Sequence, residues 1–413
     1  MRALLIAWRS ILRHARRTAV TVSALVVGLA GVVVFQGFLG QMMKGFRDGS
    51  ILGGIGHVQI AQNPRYFVDG EFNPFAYPLK DTAGLLTGLE KNPAVAAVFP
   101  STGFVAVAGF GDRSATLLVK AYPTERMYFA PGTGVVTPPT DRFNLGTLAA
   151  GSTIENETPK TGESARLMIG ETAARVLGTK PGDVITLMAI LPGGALQGRD
   201  FTVAGIFVSP GRDASFAYTD YRTAADFIGM PDPPVLTVIA RDVSSVATIT
   251  GSLPRGVSYR TWRDLATLYV QVSTILSSFL DVIRAIILLV TLFILANSMN
   301  RSVLERRREW GTLRAMGTKK RDLLFVVLWE GFLQGLLGAA AGIALGFLIS
   351  AVIDAAGGLS YHNGAQAYAI MVRPGPDSLW LDLAPAAVTA VLAAVLPGLR
   401  MLRLTPSECL REA

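Results

Sequence analysis

The densest chemistry in the sequence lies at residues 305–323, ERRREWGTLRAMGTKKRDL, where seven Lys/Arg and three Asp/Glu fall within nineteen residues. Charges at that spacing suit ion pairing and charge-assisted hydrogen bonding to another protein surface. As a helix, the stretch sets Val303, Trp310, Leu313 and Gly317 along one side and Glu305 with Glu309 one turn apart on another. The competing expectation is a solvated amphipathic helix whose cations only mark the cytoplasmic face of a membrane. No set for covalent chemistry accompanies it. The chain has no G-x-x-x-x-G-K-[ST] phosphate loop, no G-x-S-x-G elbow and no H-E-x-x-H pair. ILPGGALQGRD is glycine-rich but falls between strand-like runs, which predicts a hairpin loop. A single cysteine, Cys409, excludes an intrachain disulfide. His14, His57 and His362 are scattered without metal-ligand spacing.

The elements that must hold the charged stretch are apolar. Of 413 residues, 50% are hydrophobic and 16% charged, against about 25% charged in soluble domains. Four runs are long enough for a bilayer, which takes roughly 20 apolar residues: 18–38, 275–299 with Asp281 and Arg284 toward its outer end, 323–353 interrupted by Glu330, and 379–399. The first outruns a signal-peptide core and no A-x-A site follows it, so it is expected to be an uncleaved anchor. Arg2, Arg9, Arg13, Arg16 and Arg17 precede it, eight Lys/Arg fill 300–322, and Arg400, Arg403 and Arg411 follow the last run, whereas 354–378 holds only Arg373. That asymmetry puts both termini and the charged stretch in the cytoplasm. It also accounts for the net charge of +8 without a nucleic-acid footprint. The predicted order is a cytoplasmic segment (1–17), span 1 (18–40), an outer domain (41–265), span 2 with an outer extension (266–299), the charged helix and loop (300–322), span 3 (323–353), an outer loop (354–378), span 4 (379–399) and a cytoplasmic tail (400–413).

The outer segment reads as α+β, as one domain or two subdomains. GHVQIAQ alternates like a half-buried strand, and TGFVAVAGFGDRSATLLVKAYP reads as two strands about a turn at Gly111-Asp112. KPGDVITLMAIL and RDFTVAGIFVS form another pair around 193–198. Short helices are expected before Gly178, as a C-cap, and over 220–230. Residues 262–309 contain no Gly or Pro, which predicts one helix of about 70 Å, a stiff rod longer than the membrane is thick, with a plain linker and a broken span as the alternative. In span 3, Gly338, Gly342 and Gly346 recur every four residues and Gly331 pairs with Gly335. Small residues at that spacing allow close helix approach, within one bundle or between subunits. Asp281 and Arg284 are placed for a local ion pair, with a substrate-facing role as the alternative, and Glu330 is either snorkelling or functional.

Residues 304–323 resemble the coupling segment of FtsX-like ABC transporter permeases of the MacB/LolC/LolE mechanotransmission class. Glu305, Arg306, Arg308, Glu309, Gly311, Leu313, Arg314, Ala315 and Gly317 match its pattern, with Trp310 in place of the usual Ile. The closing LPGLRMLRLTPSECLREA is similar to the family's ending at Pro397, Pro406, Glu408, Leu410 and Arg411, and departs at Gly398 and Met401. GHVQI and IGETAARVLGTKPGDVITL resemble its periplasmic domain, the former closest to the lipoprotein-releasing branch. The resemblance implies a bacterial inner-membrane permease with a periplasmic domain and no catalysis or cofactor of its own. ATP and Mg would be bound by two ATPase subunits, and a second copy or a related permease would complete the assembly. Membrane lipids and a periplasmic lipoprotein carrier are further implied partners. By resemblance, Glu305, Arg306, Arg308, Glu309 and Arg314 contact the ATPase while Trp310, Leu313 and Met316 pack, and Gly311 and Gly317 belong to the same coupling segment. The implied cargo is a lipoprotein or other lipid-anchored amphiphile, for whose acyl chains Val272, Ile275, Phe279 and Val282 on span 2 form the candidate receiving face. Alternatives are a signalling scaffold controlling periplasmic hydrolases, disfavoured by the large outer domain, and a MacB-like efflux component. The latter carries a fused N-terminal ATPase, whereas here only about 17 residues precede span 1.

Overall fold

The computed structural model describes residues 7, 9, 11, 13, 15–131, 139–154, 164–191, 193–209, 212, 214–363 and 366–403. Pro406, Glu408, Leu410 and Arg411 of the closing motif, with Cys409 and His14, lie outside the described residues. The chain forms two compact units, Phe46–Val270 and Met1–Gly45 with Gln271–Ala413.

The helical unit is built on α1 (Ala15–Ser50), α2 (Thr267–Glu305), α3 (Arg307–Ala315), α4 (Lys320–Ala355) and α5 (Asp377–Arg403). All but α3 are long and apolar enough to cross a membrane, which gives four spans. A hairpin, Leu359–Asn363 with Gln366–Ile370, occupies the connection from α4 to α5. The unbroken helix expected over 262–309 is interrupted twice. Trp262–Leu265 forms one turn with a capping box between Thr261 and Asp264, then Ala266 leaves helical geometry at ψ 55°. Arg306, at φ −101° and ψ 17°, separates α2 from α3. The remaining rod has 39 residues, or about 58 Å.

The glycine spacing of α4 sorts into two ridges, both used within the chain. A methyl group at Gly331 would meet Ala394 Cβ at 2.7 Å, and one at Gly335 would overlap Ala390, so this pair seats α4 on α5. Added methyls at Gly342 and Gly346 would meet Leu29 Cβ at 3.0 Å and Val33 Cβ at 2.7 Å, and one at Gly338 would overlap Leu25, so the second ridge seats α4 on α1. Hydrocarbon gives helices no hydrophobic reason to associate, so such close backbone approach is what packs them. A polar cluster adds to it. Arg284 bonds Asp281 at 2.9 Å, as the spacing predicted, and also Asp382 of α5 at 3.0 Å. With its amide oriented to suit, Gln36 of α1 donates to Asp382 Oδ2 and accepts from Arg284 Nη2, both at 3.1 Å.

The outer unit is α+β and, among the described residues, carries eleven strands: β1 (Val58–Ala61), β2 (Val95–Phe110), β3 (Arg113–Tyr122), β4 (Met127–Ala130), β5 (Phe143–Gly151), β6 (Ala165–Gly170), β7 (Val184–Ile190), β8 (Leu196–Val208), β9 (Phe216–Asp220), β10 (Val235–Ala240) and β11 (Ser258–Thr261). The hydrogen-bonded path runs β11-β1-β10-β2-β3-β9-β6-β8-β5-β4, and β7 bridges β2 and β8. That bridge closes β2-β3-β9-β6-β8-β7 into a ring. Phe104, Leu117, Val119, Leu167, Leu187 and Phe201 fill it from alternate positions, as a small barrel requires. Beyond the ring, β11-β1-β10-β2 is antiparallel. The helices Thr82–Glu90 and Val246–Gly251 bury Leu85, Leu89 and Ile249 against Val58, Ile60 and Leu236 of this wing. The strand-helix-strand halves of this wing are therefore separated in sequence by the ring inserted between β2 and β10.

Turn chemistry explains the local register. Gly111, at φ 60°, turns β2 into β3 with Phe110 opposite Arg113. Gly178 and Gly229 end their helices in the left-handed conformation, and Asp220 caps Tyr221–Ile228 by accepting the N–H groups of Arg222 and Thr223.

Candidate functional site

The charged stretch folds into α3 and is held by its own cap. The N–H of Gly317, at φ 91°, donates to Arg314 O, and the N–H of Thr318 donates to Leu313 O, each near 3.0–3.1 Å. That pair of bonds is a Schellman stop, and it fixes why a glycine stands at 317. Trp310 is 2% exposed. It packs with Val303 of α2, Leu323, Val326 and Val327 of α4, and Ala394 and Met401 of α5, with the half-buried Leu313 beside it. The helix therefore contacts three spans through one aromatic side chain. Gly311 is buried next to it, where the helix lies against its neighbours.

The charges divide by direction. Glu305, Arg308 and Glu309 are exposed and Arg314 is partly so. Met316, expected to pack, is 71% exposed and offers its thioether outward. Arg306, set against an ATPase by the resemblance, is turned inward. Its Nε donates to Glu309 Oε2 at 2.8 Å, its Nη1 to Glu330 Oε2 at 3.3 Å, and its guanidinium lies 4.6 Å over the Trp310 ring. Glu330, which the sequence left between snorkelling and function, is 3% exposed in α4. Its apolar surroundings would make an unpaired carboxylate there costly. The link from Arg306 to Glu330, 24 residues on, was not read from the sequence. An isolated acid inside an apolar run was the signal that could have found it. Glu309 also meets Arg13 at 3.4 Å in an exposed pair.

On α2, Ile275, Phe279 and Val282 are each more than half exposed and Val272 is partly so, which makes a continuous apolar face on this helix. Gly331, Gly335, Gly338, Gly342 and Gly346 lie elsewhere, on the α1 and α5 contacts of α4, and do not join α3. Among the described residues, no group of three or more His, Cys, Asp or Glu could hold a metal ion.

In the outer unit, His57 is buried where the domain begins. Its Nδ1 accepts the Ala240 N–H at 3.2 Å, and burial drives its pKa down to about 4, partly opposed by Asp48. Asp264 is held below the ordinary carboxylate range by the Thr261 backbone N–H that it accepts.

Comparison with known proteins places this arrangement. Residues 18–255 match the MacB-like periplasmic core domain, and residues 282–406, which contain α3, match the FtsX-like permease C-terminal domain. The pyoverdine export ATP-binding/permease protein PvdT of Pseudomonas putida is 24% identical over 98% of this chain and 58% of its own length. The chain thus spans little more than half of such relatives. An uncharacterized ABC transporter permease protein of Mycobacterium tuberculosis, Rv0987, is 25% identical over 47% of the chain and 23% of its own length. The solved extracellular domain of the noncanonic ABC-type transporter YknZ from Gram-positive bacteria aligns at a TM-score of 0.30 and 12% identity, covering 43% of this chain and 87% of that one, too low to carry an argument. On the two domain matches, which together take in nearly the whole sequence, the chain belongs to the FtsX-like ABC transporter permeases with a MacB-like periplasmic core domain.

Proposed function

We propose that this permease docks an ATP-binding subunit on α3 and converts its cycle into movement of the periplasmic domain, releasing a lipid-anchored or otherwise amphiphilic cargo from the inner membrane. The observation that carries the docking is the split of α3, with Trp310 buried against three spans while Arg308, Glu309 and Met316 face outward. A helix seated in that way can pass a push on its exposed face into the bundle. No phosphate loop occurs in the 413 residues, so ATP and Mg would be held by a partner. Two such partners and two permease chains would form the working assembly, with both termini cytoplasmic. The cargo class rests on the apolar face of α2 at Ile275, Phe279 and Val282. Acyl chains gain about 0.8 kcal/mol per buried CH₂, so extraction requires such a surface. A periplasmic carrier for lipoproteins would then accept the cargo.

A second reading, export of a soluble small molecule, is favoured by the pyoverdine export name of relatives that match 98% of the chain. A photo-crosslinking residue at Phe279 separates the two. Under the first reading it captures lipidated protein or lipid, and ATP reduces the capture. Capture of soluble small molecules with unchanged lipoprotein sorting would favour the second.

A further inference from the structure

The break at Arg306 and the ion pair that spans it point to a lever whose fulcrum lies between α2 and α3. We infer that Glu330 is a positioning residue: through Arg306 it fastens α3 to α4, so that α3 moves with α4 and turns against α2 at residue 306. The inference deepens the docking role proposed for α3 and rests on it for its purpose, not for its geometry.

Three observations carry it. Arg306 departs from helical geometry, so α2 does not continue into α3 as a rigid rod. From that break its guanidinium reaches Glu330 of α4 at 3.3 Å while gripping Glu309 of α3 at 2.8 Å and covering Trp310 at 4.6 Å. One cation therefore binds a carboxylate of α3, a carboxylate of α4 and an aromatic ring of α3 together. Glu330 in turn is buried, and its pairing with Arg306 is direct. A carboxylate kept in an apolar helix is expensive unless paired, and removing one member of such a pair is strongly destabilising to the contact it makes. Trp310 packs in a cluster to which α4 gives Leu323, Val326 and Val327, α2 gives Val303, and α5 gives Ala394 and Met401. The polar clasp fastens α3 to α4, and the apolar seat draws more of its side chains from α4 than from either other span.

The test uses the full chain in lipid nanodiscs with Cys409→Ser. A nitroxide on Thr312→Cys reports α3, and one on Leu348→Cys reports the far part of α4, where the side chain is exposed. Glu330→Gln keeps the shape and removes the charge. The Thr312 label is expected to rotate faster by about threefold while the Leu348 label changes little, and the melting temperature falls as the buried cation loses one partner. Glu330→Asp, which keeps the charge beside Arg306, is expected to hold the Thr312 label closer to its slow native rotation, which a merely structural role for the side chain would not do. Unchanged mobility at Thr312 in Glu330→Gln, or equal loosening at Leu348, overturns the inference. No partner subunit enters this measurement. If α3 proves not to bind an ATPase, the docking proposal fails while the fastening still stands or falls on the labels.

Discussion

Single side chains divide the α3 segment into those that hold it and those it offers. Trp310→Ala removes a buried indole from a cluster drawn from three spans, and large aromatic truncations cost about 3–5 kcal/mol. A clear drop in the thermal unfolding midpoint is expected, with loss of docking as its consequence. Arg308→Glu should leave that midpoint unchanged, because Arg308 is exposed. It should weaken co-purification of the ATP-binding subunit by an amount typical of charge reversal in a desolvated contact, about 2–5 kcal/mol. Glu309→Lys is less clean, since Glu309 also receives Arg306 at 2.8 Å. His57 makes a separate prediction. Its folded pKa, about 4, lies below the ordinary 6.5. Between those values the unfolded chain binds the extra proton, so stability falls as pH drops from 6.5 toward 4 and is flat above that window. The loss approaches roughly 3 kcal/mol at most. Denaturant midpoints of the whole protein at pH 7 and pH 5 should show the slope, and His57→Gln should flatten it. The sequence displayed Trp310 and the charges, because spacing along one helix is local. It did not display that Arg306 turns inward, because its partner Glu330 lies on another helix and only packing brings them together.

At the scale of elements, the spacing of small residues in α4 was plain, but its sorting was not. Gly331 and Gly335 meet alanines of α5, while Gly338, Gly342 and Gly346 meet Leu25, Leu29 and Val33 of α1, residues some 300 positions away. Nothing in α4 alone says which ridge takes which neighbour. Gly335→Val should lower the melting temperature, because its first added carbon would already overlap Ala390, and overpacking of this kind costs about 1–3 kcal/mol. Gly40→Ala serves as the control, since nothing lies within 4 Å of the added carbon. The two interruptions near α2 were hidden for a related reason. Neither Ala266 nor Arg306 is a helix breaker by type, so the departure at each belongs to tertiary contacts. Trp262 and Ala266 are buried with Ile51 at the first, and Arg306 is drawn to Glu330 at the second. By contrast, the turns at Gly111 and Gly178 were legible because each depends on a residue whose backbone freedom is visible in its type.

For the whole molecule, composition and the Lys/Arg asymmetry were enough to read four spans and a large outer domain, because membranes constrain sequence strongly. They could not reveal the closed ring of β2, β3, β9, β6, β8 and β7, whose closure depends on β7, the hairpin partner of β8, also pairing with β2 about 80 residues earlier. Orientation remains open to a direct check. With Cys409 replaced by serine, Ser114→Cys in intact spheroplasts should react with an impermeant thiol reagent, and Ala315→Cys should react only after the membrane is opened. Early reaction at 315 would reverse the assignment.

The pairing of β1 with β11 has one more consequence. Val58 lies opposite Thr261, so the chain enters and leaves the outer domain through neighbouring strands, their Cα atoms about 5 Å apart. A segment whose two ends meet in this way is a detachable cassette. It can be lengthened, replaced or excised over evolutionary time by a single recombination at one seam, as inserted domains with adjacent termini generally tolerate. The ring between β2 and β10 repeats the arrangement at a smaller scale, since those strands pair at Val98 and Val238. The architecture is nested, one cassette within another, and each seam is a place where a new recognition surface could be acquired while the spanning helices keep their sequence.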